Sequence, residues 1–574
     1  MTIRSAWVAA GLATAALVGA LLGAPRQADA QEIESLRERL DALFGNTTWR
    51  GATWGVMVRS LDTGDTLYAI EAGEPLAPAS NLKLLTTAAA LRMLGPDYRF
   101  RTYLLTQGTI RNGVLHGDLV LYGTGDPGIS DRFYRTKNEV FDLLIDQLLA
   151  LGVHTVTGDL VGDASFLPGP LRPPGWHPSD LNDGFTGAVS ALSFNENVVS
   201  FRVVPGAVGT TPTVYTVPDH AGLEIVNTAQ TVASDARPRL AILRDDPLEP
   251  VRVEGRLLST SRDVWREMTV PVPAHFAASV FRSALEEKGI TVFGEIRTVD
   301  ARERSVVGAI SAPALGRRGA RVLARHVSDP LSAYLAVVNK ESNNLFAELV
   351  FRLLGRTASG VGSPEAGSAA VRTALGELGV DMTRVVQLDG SGLSSGSRVS
   401  ASTFVDIITR MAASPVWSEY WGSLPEAGRR GELGRMYGTL AAGNLRAKTG
   451  TIQGVSALSG MVRSRTGERL AFSLLVNGTR SNSRAKATEN QAGVLLAAFD
   501  RTLSADPDVR FVEELEPSDV GPRRYLVGRG ENLALIADRH GIDLTTLLEA
   551  NPDLQRERVV AGQWLRIPAR TATQ

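Results

Sequence analysis

The sequence predicts an α+β protein, in which helical and β-rich segments occupy different stretches of the chain. Apolar residues recur at helical spacing in the first hundred residues and again after about residue 330. Between them, the stretch from Gly158 to about Pro250 is rich in Gly, Pro, Val and Thr, with the short alternating runs of β-structure. With 574 residues, 44% of them hydrophobic and 21% charged, the chain is long enough for several globular domains.

The N-terminus has the pattern of a secretory signal peptide. Arg4 precedes an uncharged run from Ser5 to Pro25, and small residues flank Asp29 at Ala28 and Ala30, as in a cleavage site. We therefore expect residues 1–30 to be removed, leaving an exported protein of the periplasm or cell wall with no stable membrane span. The alternative is an uncleaved membrane anchor, because a run of this length could just cross a bilayer.

The helices and strands are predicted from the spacing of apolar residues and from Gly and Pro residues at the ends of each element. The predicted helices are Glu32–Leu43, Ser80–Leu94, Asn138–Leu151, His275–Lys288, Pro330–Arg356, Ser363–Leu378, Ala401–Ala412 and Ser483–Leu503. The predicted strands are a hairpin over Trp54–Tyr68, then Val114–Tyr122 and Ile290–Val299, and a second hairpin formed by Gly454–Arg463 and Leu470–Asn477. A polar stretch with Pro517 and Pro522 predicts a linker before a compact unit at Tyr525–Pro568.

Several function classes are disfavoured by composition. The formal net charge is −1, so no basic field indicates a nucleic-acid partner. The chain contains no cysteine, which excludes disulfides and zinc–thiolate sites. None of the seven histidines stands in an HExxH arrangement, and we expect neither a metal nor a cofactor. A Gly-x-Ser-x-Gly elbow is also absent, which disfavours a Ser-His-Asp triad.

Ser80 and Lys83 offer another way to activate a hydroxyl. Only six of the 60 basic residues are lysines, and one of these follows Ser80 by three residues, at a spacing that puts both on one helical face. A buried lysine can lose its proton at workable cost, whereas a guanidinium cannot. A neutral Lys83 could therefore take the proton from Ser80, which would act as a nucleophile.

Two later motifs complete a catalytic set. Ser342 and Asn344 form a Ser-x-Asn motif, in which Ser342 can relay a proton and Asn344 can hold the substrate amide and donate to Lys83. The third motif is Lys-Thr-Gly, at residues 448–450. Lys448 supplies positive field for a substrate carboxylate, Thr449 can hydrogen-bond it, and Gly450 leaves room for the substrate backbone. The N–H groups of Ser80 and Thr451 could form an oxyanion hole.

These three motifs, in this order, resemble the serine-type D-Ala-D-Ala carboxypeptidases/endopeptidases of the low-molecular-mass, penicillin-binding protein 4 (DacB-like) kind. The long interval between Ser80 and Ser342 is similar to that family, which carries inserted domains there. Further segments that resemble the family are Gly117–Pro127, Val189–Asn197, Asp329–Leu331, Asn344–Glu348, Asp389–Leu393 and Val455–Gly460. Asn343 stands where many relatives have Asp.

The resemblance implies a fold and an activity. The fold is a helix–antiparallel sheet–helix catalytic domain, at residues 31–103 and 318–505, interrupted by two mostly β inserted domains at 104–317. The activity is cleavage of peptidoglycan stem peptides at D-Ala-D-Ala termini, at D-Ala cross-links, or at both, through an acyl-enzyme on Ser80. β-Lactams are expected to acylate the same serine as covalent inhibitors.

After a linker at 506–523, residues 524–569 resemble a LysM module of strand, helix, helix and strand. This resemblance implies binding to the glycan of peptidoglycan. The residues that correspond to the family's binding loops are Gly530, Glu531, Asn532, Leu533, Asn551, Pro552 and Asp553. The alternative is a small α/β cap without a ligand.

Two other functions remain open at this stage. One is a β-lactamase, which would need a carboxylate that holds a deacylating water, and no such motif is evident between the first two motifs. The other is a non-catalytic peptidoglycan-binding scaffold, which the intact Ser80, Lys83, Ser342, Asn344 and Lys448 disfavour.

Overall fold

The computed structural model describes residues 30–177, 180, 182–219, 222–234, 239–246, 249–307, 319–501, 523–526, 533, 536–537, 543–551 and 564–567. The predicted signal peptide apart from Ala30, and the predicted linker apart from Arg523, lie outside these residues. Helices and sheets are both present, and the α+β class is confirmed. Within the described ranges, no helix is both long enough and apolar enough to cross a membrane.

The chain divides into two compact units, each assembled from separate segments. Of the residues that the structure describes, the first unit contains those within Met1–Asn81, Val380–Val385 and Arg398–Ser518. The second unit contains the described residues within Leu82–Gly379, Val386–Ser397 and Asp519–Gln574.

The first unit is built on a five-stranded antiparallel sheet. Its strands lie in the order Arg446–Ile452, Val455–Arg463, Arg469–Asn477, Thr53–Ser60 and Thr66–Ile70. Its helices are 30–44, Ala401–Ala412, Trp417–Ser423 and Asn482–Ala497, with a 3₁₀ turn at Thr47–Trp49. Both predicted hairpins are therefore confirmed.

Both faces of this sheet are covered. The two inner strands that begin at Val455 and Arg469 are buried at nearly every position, so side chains on either face are shielded from water. The helix Ala401–Ala412 packs on Arg469–Asn477 and Thr53–Ser60, and the helix Asn482–Ala497 packs on Val455–Arg463. A core cluster joins side chains of the sheet to the helices 30–44 and Asn482–Ala497 through residues such as Leu40, Trp54, Leu458, Phe472 and Leu496.

The second unit holds a helical cluster around the helix Lys83–Leu94. Every residue of this helix from Lys83 to Leu91 is buried, and it packs against Leu331–Lys340, Asn344–Ser359 and Pro364–Glu377. Its small residues Ala88, Ala89 and Ala90 allow neighbouring helices to approach closely. The helix ends at Gly95, whose φ of 76° continues the chain in a conformation that favours glycine.

The rest of the second unit is β-rich, with the helices Glu139–Ala150 and Pro273–Glu287. A five-stranded sheet has the order Ile296–Val299, Leu160–Asp163, Leu119–Gly123, Arg99–Thr106 and Arg321–Pro330. A four-stranded sheet has the order Thr291–Val292, Thr155–Val156, Val114–His116 and Thr109–Arg111. A three-stranded sheet has the order Thr213–Val217, Val198–Val204 and Val264–Thr269. In a further sheet, Val251–Leu258 pairs with Ile225–Asn227, Gln230–Val232 and Leu240–Leu243.

Some predicted boundaries were wrong. The single helix predicted over Pro330–Arg356 is two helices, Leu331–Lys340 and Asn344–Ser359. The strand predicted over Val114–Tyr122 is two strands in different sheets, and Ile290–Val299 is likewise divided. The helix predicted from Ser80 begins at Lys83, after a 3₁₀ turn at Ala79–Leu82. The last helix ends at Ala497, before the predicted Leu503.

The C-terminal residues contain an antiparallel pair of strands, Arg523–Leu526 and Trp564–Ile567, and a helix at Leu544–Glu549. Their small core consists of Leu533, Ile536, Ala537, Leu547, Leu565 and Ile567. These elements agree with the predicted order, in which strands enclose the helical part.

Candidate active site

Ser80 lies in the 3₁₀ turn Ala79–Leu82, immediately before the buried helix. Pro78 and Ala79 are buried, whereas Ser80 is partly exposed. The turn is fixed to the sheet of the first unit by Asn81, whose Nδ2 donates to Ser459 Oγ at 2.7 Å. Ala79 has a φ of 45°, a left-handed conformation that is rare for a residue with a side chain. Backbone strain of this kind is often found at functional sites.

The third motif lies on Arg446–Ile452, a strand at the edge of the same sheet. Lys448 is buried and pairs across the sheet with Ser459, and its Nζ donates to the Thr449 carbonyl at 2.9 Å. Thr449 is partly exposed and Thr451 is exposed. At the outer edge of this strand, Arg446 forms an antiparallel bridge with Glu426, and Ala447 N donates to the Pro425 carbonyl at 3.0 Å.

Gly450 lies against the turn that carries Ser80. A Cβ at position 450 would be 2.8 Å from the Pro78 carbonyl oxygen and 3.1 Å from both Ala79 Cβ and Asn81 N. These atoms belong to backbone or to a short side chain, so they cannot move aside cheaply. The absence of a side chain at Gly450 therefore allows the strand of the third motif to approach the Ser80 turn.

Lys83 is fully buried and held by two oxygen atoms. Its Nζ donates to Asn344 Oδ1 at 2.7 Å and to the Ser391 carbonyl at 2.7 Å. Burial lowers the pKa of Lys83 to about 7, although the charges of Asp389 and Glu348 act in the opposite direction. A neutral amine has two N–H donors and a lone pair that can take up a proton.

The second motif occupies the break between two helices. Ser342 has a φ of 58°, and Asn343 caps the following helix by accepting from Phe346 N at 3.1 Å. Asn344 is the first residue of that helix, and its Nδ2 donates to the Phe185 carbonyl at 2.9 Å. We expected Asn344 to donate to Lys83, and this direction was wrong. The amide group of Asn344 accepts from the lysine because its own N–H is directed at the Phe185 carbonyl.

Sequence reasoning gave no role to two buried carboxylates near Lys83. Glu348 Oε1 accepts from the backbone N–H groups of Gly390 and Ser391, both at 2.9 Å. Asp389 is also fully buried. The segments Asn344–Glu348 and Asp389–Leu393 were singled out by their resemblance to a family, and an acidic residue in each of them was the available signal.

The pKa values of Glu348 and Arg352 are shifted by burial and by neighbouring charges. Burial, and after it the charge of Asp389, raises the pKa of Glu348 to about 7. Arg352, one helical turn after Glu348, is also buried, and burial lowers its pKa while Glu348 and Glu365 act in the opposite direction. Across the part of the chain that the structure describes, no group of three or more His, Asp or Glu side chains could hold a metal ion.

The structure thus brings together Lys83 with Asn344, and the turn of Ser80 with Gly450 of the third motif. Of the predicted glycan-binding residues, Leu533 lies in the small C-terminal core, and Asn551 Nδ2 donates to the Leu547 carbonyl at 2.8 Å. Gly530, Glu531, Asn532, Pro552 and Asp553 lie outside the described residues.

Comparison with known families agrees with these motifs. Residues 36–499 match the model of the D-Ala-D-Ala carboxypeptidase 3 (S13) family, and residues 525–568 match the LysM domain. The chain therefore belongs to the D-Ala-D-Ala carboxypeptidase 3 (S13) family and carries a C-terminal LysM domain.

Individual relatives support this assignment. The chain is 38% identical to a D-alanyl-D-alanine carboxypeptidase of Actinomadura sp. (strain R39), over 83% of this chain and 88% of the relative. It is 25% identical to the D-alanyl-D-alanine carboxypeptidase DacB of Haemophilus influenzae, over 79% of this chain and 90% of that protein.

Solved structures show the same fold. The crystal structure of penicillin-binding protein 4 (dacB) from Haemophilus influenzae superposes with a TM-score of 0.68 at 24% identity, over 80% of this chain and 99% of that one. The same protein complexed with a β-lactam gives a TM-score of 0.62 at 22% identity, over 79% of this chain and 96% of the other. The predicted penicillin-binding-protein-like fold is confirmed.

Proposed function

We propose that this protein is a penicillin-sensitive serine DD-peptidase of the cell wall, which cleaves peptidoglycan stem peptides through an acyl-enzyme on Ser80. Membership of the S13 family supports a D-Ala-D-Ala carboxypeptidase. The observation that carries the mechanism is Lys83, a buried lysine with two oxygen acceptors and a pKa lowered to about 7. Such a lysine can be neutral at the pH at which the enzyme works, as a general base requires.

The proposed acylation step is a displacement at the penultimate D-Ala. Ser80 Oγ attacks the carbonyl carbon, and its proton passes to Lys83 Nζ. The bond to the terminal D-Ala then breaks, and Ser342 relays a proton to the departing amine. Water hydrolyses the resulting ester, which frees Ser80 for another turnover.

The remaining motif residues bind the substrate. Lys448 and Thr449 hold the terminal carboxylate, and Gly450 leaves space for the substrate backbone. The N–H groups of Ser80 and Thr451 stabilise the negative oxygen of the tetrahedral intermediate. Asn344 holds the substrate amide as well as the lysine.

The test of this proposal is labelling with a fluorescent penicillin, whose strained amide mimics the substrate. The wild-type protein should take up one covalent label, and Ser80→Ala should take up none. If the purified wild type takes no label, or if Ser80→Ala is labelled equally well, the proposed mechanism fails. The β-lactam complex of the Haemophilus influenzae relative supports the choice of probe.

The substrate itself needs a second experiment. D-Ala-D-Ala termini and D-Ala cross-links both present a carbonyl of D-Ala, and they differ in what the leaving amine carries. Digestion of purified muropeptide monomers and cross-linked dimers, followed by mass spectrometry, distinguishes carboxypeptidase from endopeptidase action. Free D-Ala from monomers marks the first, and conversion of dimers to monomers marks the second.

We further propose that the LysM domain tethers the exported enzyme to the glycan of peptidoglycan. The proposed contacts are Gly530, Glu531, Asn532, Leu533, Asn551, Pro552 and Asp553. A second point of attachment raises the local concentration of stem peptides around the catalytic residues. In this arrangement residues 31–103 and 318–505 form the catalytic domain, and residues 104–317 form the inserted domains.

A further inference from the structure

The Ser391 carbonyl that accepts from Lys83 belongs to a tight loop, residues 389–394, which we call the carbonyl loop. A carbonyl on a loop can hold a catalytic lysine in one orientation only if the loop itself is held rigidly. Two fully buried carboxylates, Asp389 and Glu348, hold it from two sides.

Asp389 organises the interior of the carbonyl loop. Its Oδ1 accepts from Gly392 N at 3.0 Å, and its Oδ2 accepts from Ser394 N at 2.9 Å and Ser391 Oγ at 3.1 Å. The indole Nε1 of Trp176 donates to the same Oδ2 at 3.0 Å. Four donors thus converge on one carboxylate, which is close to the number of hydrogen bonds that an ionised carboxylate can accept.

Glu348 fixes the carbonyl loop to the helix Asn344–Ser359. One oxygen, Oε1, accepts from the N–H groups of both Gly390 and Ser391. The loop lies directly on this helix, because a Cβ at Gly390 would be 2.5 Å from the Ala347 carbonyl oxygen and from Phe351 Cβ. On the far side, Thr86 Oγ1 of the lysine's own helix donates to the Gly390 carbonyl at 2.8 Å.

Asn344 and Glu348 stand four residues apart, so they share one face of their helix. The same helix therefore acts on two of the acceptors of Lys83. It presents Asn344 Oδ1 directly. Through Glu348 it holds the N–H groups of Gly390 and Ser391, which belong to the two peptide groups before the Ser391 carbonyl, while Asp389 holds the N–H group of Gly392 in the peptide group that carries this carbonyl.

We propose that Glu348, assisted by Asp389, is a positioning residue for the acylation reaction: it holds the carbonyl loop so that the Ser391 carbonyl and Asn344 together direct the lone pair of Lys83. This inference rests on the proposed role of Lys83 as the base that activates Ser80. Neither carboxylate touches the substrate in this scheme, and each acts through Lys83.

The charge of Glu348 has a second effect on the same amine. The charged groups that face Lys83 are Glu348 and Asp389, and both raise its pKa against the larger effect of burial. Glu348 in turn faces Asp389 and Arg352, and Arg352 also faces Glu365. Replacing Glu348 by glutamine keeps an oxygen that can accept both N–H groups but removes one negative charge from the surroundings of Lys83.

The test compares two substitutions at position 348 by the rate of acylation with a fluorescent penicillin between pH 5 and pH 9. At high pH, Glu348→Gln should acylate within about fivefold of the wild-type rate. The decrease in its acylation rate at low pH should occur at least about half a pH unit lower than in the wild type. The acylation rate of Glu348→Ala, which frees the loop, should be about 10–100-fold lower than that of the wild type at every pH. A purely structural role would lower the folded fraction without moving the pH profile.

Glu489→Gln is the matched control. Glu489 is a fully buried glutamate of the first unit that accepts from Ser456 Oγ at 2.6 Å and Arg435 Nη1 at 2.9 Å, and burial raises its pKa. This variant should keep the wild-type pH profile. The proposal is overturned if Glu348→Gln leaves the low-pH limb in place while Glu348→Ala acylates within about threefold of wild type. If Glu348→Ala does not fold, an unmoved limb in Glu348→Gln is sufficient to overturn it.

Failure of this inference can be told apart from failure of the proposed function. If Ser80→Ala takes up label like the wild type, the acyl-enzyme itself is refuted, whatever the variants at position 348 do. If only Ser80→Ala loses its label and the Glu348 variants behave like wild type, the acyl-enzyme stands and the positioning role falls.

Discussion

At the scale of a single residue, the proposed mechanism depends on whether the side chain at position 83 can lose a proton. Lys83→Arg keeps the positive charge but replaces an amine with a guanidinium that stays protonated. We expect the acylation rate to fall by about 10²–10⁴-fold, the range that general-base catalysis contributes. Stopped-flow labelling with a fluorescent penicillin measures this.

Lys288→Arg serves as the control for this substitution. Lys288 forms ion pairs with Asp142 and Asp146 at the surface, and arginine can keep both. That variant should acylate like the wild type. A rate for Lys83→Arg within about tenfold of wild type would refute the general-base role.

The pKa of Lys83 also predicts a pH dependence. Below about pH 7 the amine is increasingly protonated and cannot accept the proton of Ser80, so the acylation rate should decrease as pH falls from 8 to 5.5. Glu348 titrates in the same range, so the decrease in rate at low pH reports the protonation of both groups together. A rate constant that stays level over this interval, measured at constant ionic strength, would contradict the prediction.

The sequence offered candidate residues for the site but not the contacts that support them. Ser80, Lys83, Ser342 and Asn344 could be singled out because short spacings and residue chemistry identify them. The role of Glu348 could not, because it lies among apolar residues of a helix and its two N–H donors come from a loop about 40 positions later in the chain. Such a contact forms only when the tertiary structure brings the two segments together.

At the scale of the secondary-structure element, the break between two helices at Ser342 shows a limit of periodicity. Apolar residues continue at helical spacing from Leu331 to Leu354, which predicts one helix. The chain instead turns at Ser342, with its positive φ, and Asn343 starts a new helix. The stabilisation of this break comes partly from Glu196, about 150 residues earlier in the chain, which accepts from Asn343 Nδ2 at 2.7 Å.

Asn343→Ala should therefore lower the free energy of unfolding by about 1–3 kcal/mol, because it removes a helix cap and a hydrogen bond to a carboxylate. Ser363→Ala, which removes a cap bond to Ala366 N and a hydrogen bond with the Glu365 side chain, should cost about 1 kcal/mol and serves as the comparison. Chemical denaturation measures both values. A smaller effect at position 343 than at 363 would show that the contact with Glu196 contributes nothing.

Asn343→Asp tests the same contact through pH. Aspartate keeps the cap but places a carboxylate against Glu196, and this neighbouring charge raises the pKa of the new carboxyl in the folded state. The folded variant then binds more protons than the unfolded chain, so its stability relative to wild type should recover as pH falls from 7 towards 4. An equal difference in unfolding midpoint at both pH values would contradict this.

Gly450 sets the distance between the edge strand and the turn of Ser80. Gly450→Ala should reduce acylation by about 10²-fold, because the new methyl group would push against the Pro78 carbonyl and the backbone beside Ser80. Gly422→Ala is the control, since a Cβ at that helical position meets no atom within 4 Å. Equal acylation rates in the two variants would show that the close approach at Gly450 is not needed.

At the scale of the whole molecule, the family matches leave an interval between residues 499 and 525 that belongs to neither. The sequence predicts a linker there from its polar composition and its prolines. The structure adds a boundary that a truncation must respect. Arg501 binds Glu468, with Nε to Oε2 at 3.2 Å, and its Nη1 contacts Asp65 at 3.0 Å, so the first compact unit extends at least to this residue.

A chain that ends after residue 505 keeps Arg501 and loses the LysM domain. We expect it to acylate with fluorescent penicillin at the wild-type rate and to digest soluble muropeptides normally, because the residues proposed to carry out the chemistry all precede the cut. It should no longer sediment with insoluble peptidoglycan and should digest that polymer more slowly, since the second attachment is gone. Full-length Ser80→Ala should show the opposite behaviour, with sedimentation retained and acylation lost. If the truncated chain sediments as well as the full-length protein, the glycan tether lies elsewhere in the molecule.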